Sequence, residues 1–314
     1  MNKNAGLFAM LISMVFWGLS NPFADYAVQA FTPGEMFVIE VGTGSLGFFA
    51  IVLLVPRIRG NIGTIPWKIS LPLGFIMPGL CFYLGNIGYK FGTVTTGVIL
   101  LSCEAIFMAV GGIFVLKESL PVKSIVAVFM GMLGVVVVGI SGQSSNPETA
   151  GVTAHILGMS LPAGVVGAAA FILSSVFSAA FGLLVRKYAA TTDVVGLTLG
   201  QLVSAFIFAV VIMINQHVDV VSLYRQTSYF WAAVLAGIVG IAIAFLLFNQ
   251  ASENVTARQT ALLLNLIPII AIVIGAVIGR GLPTPVQIIG AAIVLVSLFA
   301  LETKELESFE TAPH

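Results

Sequence analysis

Thr93-Val-Thr-Thr-Gly-Val-Ile-Leu-Leu-Ser102 and Thr256-Ala-Arg-Gln-Thr-Ala-Leu-Leu-Leu-Asn265 are two versions of one phrase. Each opens an apolar run that ends in Leu-Pro, at Leu120-Pro121 and at Leu282-Pro283, and each is followed by a second apolar run containing glycine. Self-similarity over such a distance marks an internal repeat. Working outward from the two copies, the rest of the chain falls into apolar runs of about twenty residues, the length that crosses roughly 30 Å of hydrocarbon at 1.5 Å per residue. The runs are read as spans at 5–29, 34–55, 71–90, 94–116, 122–140, 162–185, 193–214, 229–250, 259–278 and 284–301. Breakers fall between them: Thr32-Pro33-Gly34, Arg57 to Trp67, Pro121, Pro283 and Pro285.

Composition agrees. Of 314 residues, 59% are hydrophobic and 8% charged, against about 25% charged in soluble domains. A net charge of zero gives no reason to expect nucleic acid or an acidic partner. The expected fold is therefore all-α and integral to the membrane: residues 1–140 form a first five-helix repeat, 141–161 a polar linker, 162–301 a second repeat, and 302–314 a charged tail. The apolar run from Gly6 to Phe23 exceeds a signal-peptide core and is read as a retained first helix. Five helices is an odd number, so the second repeat is expected to lie inverted relative to the first. Inverted repeats are a mark of secondary transporters, with a substrate site near the midplane.

Charge placement sets the expected orientation in a cell membrane, with both termini cytoplasmic. Segments then inside hold Lys3, Arg57, Arg59, Lys68, Lys117, Lys123, Arg186, Lys187, Arg258 and Lys304; those outside hold Lys90, Arg225 and Arg280. Ten of the thirteen basic residues inside is the pattern of positive-inside topology.

Phe16-Trp17-Gly18-Leu19-Ser20-Asn21-Pro22 in the first span, Tyr89-Lys90-Phe91-Gly92-Thr93 closing the third, Leu116-Lys117-Glu118-Ser119-Leu120 after the fourth and Leu266-Ile267-Pro268-Ile269 in the ninth recur in order. In these the chain resembles the drug/metabolite transporter superfamily, EamA type, over about residues 5–301. The resemblance implies two five-helix repeats and export of metabolites or toxic compounds. Three positions depart from the family pattern. Glu40 stands where an arginine is frequent, Glu104-Ala105 where the fourth helix carries proline, and Arg280 in place of an acidic turn.

Glu104 is the sharpest candidate residue. It lies about ten residues into its span, roughly 15 Å deep. An ionisable group there is costly and faces a cavity or a partner, so a proton- or cation-coupling role outweighs a structural one. Glu40 stands about six residues into the second span and is read either as a structural pair with Lys90 or as a coupling residue. Trp17 and Asn21 share a helix face beside Pro22, which frees a carbonyl, and are read as cavity wall. Tyr83 and Asn86 suit a ligand or an interhelical hydrogen bond equally. Gln201, Asn249, Asn265 and Pro268 are the polar interruptions of the second half. Cys81 and Cys103 read as small buried hydrophobes. His155 and His217 are isolated, and Gly275 with Gly279 reads as packing.

No cofactor or metal is expected, because no nucleotide-binding loop, His-Glu-x-x-His motif or selectivity filter occurs. The expected activity is secondary transport of a small organic molecule, with lipid and protons as partners and oligomers compatible. Uptake of an organic cation is the alternative within transport. An intramembrane lipid-modifying enzyme would need a nucleophile with a base, or a metal cluster, and neither is legible. A purely structural membrane protein is at odds with a midplane acid.

Overall fold

The computed structural model of the chain describes residues 3–56, 65–92, 97, 100–101, 103–116, 126, 129–130, 133–134, 137, 153–156, 159–189, 191–264, 266–277, 284–286, 288–290, 292–293 and 296. Asn265, the turn Lys117–Leu120, Gly279, Arg280, the first part of the polar linker and the tail 302–314 lie outside the described residues. So do most positions of the expected spans 122–140 and 284–301.

Among the described residues, six helices are long and apolar enough to cross a membrane. They are α1 (Lys3–Val28), α2 (Pro33–Leu54), α3 (Trp67–Phe91), α5 (Ala163–Ala189), α6 (Val194–Asn215) and α8 (Thr227–Ser252). Shorter pieces are α4 (Cys103–Val115), α7 (Val220–Tyr224), α9 (Ala257–Leu264) and α10 (Leu266–Val277). The part of the linker that is described adds a feature absent from the sequence reading. Strands β1 (Thr153–Ile156) and β2 (Met159–Pro162) pair antiparallel, with Thr153 opposite Pro162.

Two of the long helices begin where the sequence supplies caps. Thr32 accepts from the Glu35 amide at 3.2 Å and Glu35 returns the bond to the Thr32 amide at 2.7 Å, a capping box at the start of α2. Asp193 does the same work for α6, taking the Val195 amide at 2.8 Å. The outward faces remain apolar: Phe8, Leu54, Phe114 and Val277 are more than 60% exposed. Large exposed apolar side chains in such number suit lipid and not water.

The two halves grip each other reciprocally. Ser13 on α1 donates to the Ala244 carbonyl on α8 at 2.8 Å, and Ser174 on α5 donates to the Cys81 carbonyl on α3 at 2.9 Å. Trp17 Nε1 donates to the Gly240 carbonyl at 2.8 Å, and Ser178 Oγ lies 3.5 Å from Met77 Sδ. Ser13 to Ser174 and Trp17 to Ser178 are the same step along the chain, as are Cys81 to Ala244 and Met77 to Gly240. The last step also separates Thr93 from Thr256. Contacts exchanged in this way, each half giving what it receives, are those of a two-fold relation. It extends to backbone packing: a Cβ on Gly74 would meet the Gln201 backbone, and one on Gly237 would meet the Glu40 backbone. It extends to irregularities as well. A wide π-helical turn occupies Phe75–Leu80 of α3 and another Ile238–Ile243 of α8, in the same register of the two copies. In α3 two prolines, Pro72 and Pro78, withhold amides near the turn, and Met77 is extended (φ −146°, ψ 127°).

Candidate functional site

Where the halves meet, α1, α2, α3, α4, α5, α9 and α10 enclose a cavity with about 830 Å³ of empty space, its open mouth included. Five residues singled out in the sequence line it: Trp17, Asn21, Glu40, Asn86 and Glu104.

Each is positioned by a definite contact. Trp17 is buried, its indole tied to the Gly240 carbonyl and its ring set against Phe248 (centroids 5.1 Å) and edge-on to Phe245 (5.9 Å). Gly240 belongs to the π turn of α8, so the tryptophan satisfies a carbonyl within that irregular turn. Glu40, 2% exposed, accepts from Asn86 Nδ2 at 3.1 Å. Its partner is therefore Asn86 and not Lys90, which reaches the carbonyls of Val28 and Phe31 at 2.9 and 3.1 Å, where α1 ends. Glu104 lies near the start of the described part of α4, half-buried on the cavity wall, with the Ser178 hydroxyl as its hydrogen-bond partner.

The other sequence candidates sit elsewhere. Tyr83 points away from the cavity, edge-on to Phe37 (centroids 5.5 Å), with its hydroxyl within 3.1 Å of Gln216 Nε2. Three residues along a helix is a 60° displacement, enough for Asn86 to face inward while Tyr83 does not. Gln201 and Asn249 are fully buried and bonded to each other at 2.8 Å, with Thr198 also taking Asn249 Nδ2 at 2.8 Å. They form a sealed amide pair outside the cavity lining. Pro22 stands inside α1, outside the cavity lining, and Pro268 stands inside α10.

Several lining residues had no claim from the sequence. Cys81 is a free, buried thiol that lines the cavity, 3.2 Å from Ser174 Oγ. Tyr89 and Phe82 add aromatic faces, and Ser20, Ser174 and Ser178 add hydroxyls. The Tyr89 hydroxyl is buried and without a hydrogen-bond partner among the described residues. The signal that would have found Ser174 is its spacing from Ser13. Ser13 and Ser174, one in each half, stand at matching positions of the two copies.

An apolar multi-helix body enclosing a small-molecule cavity lined by two carboxylates defines a class, the multi-pass membrane transporters. The chain belongs to the EamA-like transporter family, whose pattern it matches over residues 4–140 and again over 165–303, and so to the drug/metabolite transporter superfamily that its motifs resemble. It is similar to the uncharacterized transporter YyaM of Bacillus subtilis (strain 168), 21% identical over 313 residues, which takes in 94% of this chain and 93% of that protein. A protein of known crystal structure shares the fold, with a TM-score of 0.69 at 16% identity, over 99% of this chain and all of the other.

Proposed function

We propose that the protein is a secondary active transporter that exports a small organic molecule by alternating access, with protons as the coupling ion and Glu104 as the residue that trades them. The observation that carries the reading is a cavity at the junction of the two halves that contains two carboxylates. A carboxylate at membrane depth is retained where its charge is used, and a proton is the simplest ion it can exchange. On this reading the ten spans comprise two inverted five-helix repeats, 1–140 and 162–301, with 141–161 as the linker and both termini in the cytoplasm. The supports are the odd helix number per repeat and the ten-to-three split of basic residues.

Two measurements test it. Single cysteines at Ser145 and Gly60, in a background free of Cys81 and Cys103, are expected to label differently in intact cells. An impermeant maleimide should reach Ser145 and miss Gly60. The opposite pattern reverses the orientation, and equal labelling breaks the helix count. Purified protein in sealed liposomes is expected to move substrate down a proton or substrate gradient with no nucleotide present. Flux that appears only with ATP and a companion protein rules out secondary transport.

A further inference from the structure

We infer that the cavity is built for organic cations, compounds with an ammonium group on an aromatic or apolar body. This deepens the transporter reading and rests on it.

The first ground is the charge of the lining. Glu40 and Glu104 both face the cavity, and no lysine, arginine or histidine is among the described residues that line it. Cys81 lines the same cavity as both carboxylates. A carboxylate taken out of water needs a positive partner or a proton. The neutral Asn86 and Ser178 orient these two groups without neutralising them. No basic side chain among the described lining residues supplies that charge, which leaves it to a proton or to a bound cation.

The second ground is that the fold does not need either charge. The pair Glu40–Asn86 between α2 and α3 has a counterpart in the other half, Gln201–Asn249 between α6 and α8. Glu40 is eight residues after the N-cap Thr32, and Gln201 is eight residues after the N-cap Asp193. Asn86 and Asn249 keep the spacing of Thr93 and Thr256. Both pairs pack beside a close-approach glycine, Gly237 against Glu40 and Gly74 against Gln201. One architectural position is thus filled by an amide in the half where it is sealed and by a carboxylate in the half where it faces the cavity. Glu104 follows the same pattern, since the same step along the chain leads from it to Ile267, which lines the cavity as an apolar side chain. The fold accommodates an uncharged side chain at both places, an amide at Gln201 and an aliphatic group at Ile267, so the acids of the first half are not required by packing. The amide pair still leaves Gln201 Nε2 and Asn249 Oδ1 without a hydrogen-bond partner among the described residues.

The third ground is the rest of the wall. Trp17, Phe82 and Tyr89 supply aromatic faces, which attract a desolvated cation and its apolar body together. The unpartnered Tyr89 hydroxyl offers one polar contact to a bound molecule.

The test uses purified full-length protein and four probes sharing one ring: benzyltrimethylammonium, benzylamine, benzyl alcohol and benzoate. Calorimetric titration and thermal shift are expected to detect the two cations and not the alcohol or the anion. Glu40→Gln remakes the pair already present in the other half, and Glu104→Gln keeps the side-chain shape, so both variants should melt like the parent when unliganded. Cation affinity is expected to fall at least about tenfold in one or both. Three results overturn the proposal: no binding by either cation, equal binding of alcohol or benzoate, or undiminished cation affinity in both variants. Liposome flux separates this from the reading beneath it. Gradient-driven movement of a neutral or anionic compound, with no cation bound, leaves the transporter and removes the cation site. Cations bound with wild-type affinity but never moved by any gradient leave the site and remove secondary transport.

Discussion

Glu104→Gln is expected to bring flux driven by an imposed proton gradient down to the level of empty liposomes while the protein folds and binds detergent as before. The carboxylate lies on the wall of the cavity, with the Ser178 hydroxyl beside it and no basic residue along its own helix up to Val115. Glutamine fills the same space and still bonds Ser178, but it has no proton to exchange. If Glu104 only couples, counterflow of substrate with no proton gradient survives the change, because alternating access itself is untouched. If it also holds the substrate, counterflow falls as well. The other titratable groups on the wall are Glu40, Cys81 and Tyr89, so Glu40→Gln is the matched comparison. Wild-type gradient-driven flux in Glu104→Gln would make the residue structural and end the coupling proposal.

The largest effect on stability is expected at the two close-approach glycines. A Cβ on Gly74 would stand 2.0 Å from the Gln201 carbonyl oxygen, and one on Gly237 would stand 2.2 Å from the Glu40 carbonyl oxygen. Backbone cannot swing aside as a long side chain can, so α3 must withdraw from α6, or α8 from α2. Overpacking of this kind costs about 1–3 kcal/mol, and small residues at membrane helix contacts exist to avoid it. Gly74→Ala and Gly237→Ala should each lower the melting temperature in detergent. Gly42→Ala is the control, since nothing lies within 4 Å of a Cβ there and a helix-interior alanine is favourable by up to about 1 kcal/mol. Equal melting of all three would mean that the halves do not pack as described.

The helices were legible because lipid imposes one requirement on every span, about twenty apolar residues, and the observed ends of α1, α2, α3, α5, α6 and α8 fall within about four residues of the expected ones. Thr93 and Thr256 exposed the repeat for a similar reason, since turn chemistry survives when apolar side chains drift. The cavity was half legible. Glu40, Glu104, Trp17, Asn21 and Asn86 are polar or bulky in apolar surroundings and announce themselves. Tyr83 and Gln201 announce themselves equally but face elsewhere, because polarity in a span reports burial against protein and not which protein surface. Ser178, Cys81 and Phe82 gave no signal, since their roles come from the opposite half and a run of residues does not show what faces it. The wide turns of α3 and α8 are also tertiary, and only the prolines of α3 hint at one of them.

Those paired turns have a thermodynamic corollary. The carbonyl of Gly240 is claimed by Trp17, and the matching position, Met77, is approached by Ser178, so each irregular helix is held in shape by a side chain from the other copy. When two copies of one segment hold each other in this manner, trading their shapes costs only the difference between the copies and not the whole contact. The two copies differ at many positions, among them an indole against a hydroxyl at Trp17 and Ser178 and a carboxylate against an amide at Glu40 and Gln201. Under the alternating access proposed above, about 1.4 kcal/mol alters a population ratio tenfold, so the differences between the copies would set the resting balance and a ligand seated on the carboxylate side would tip it.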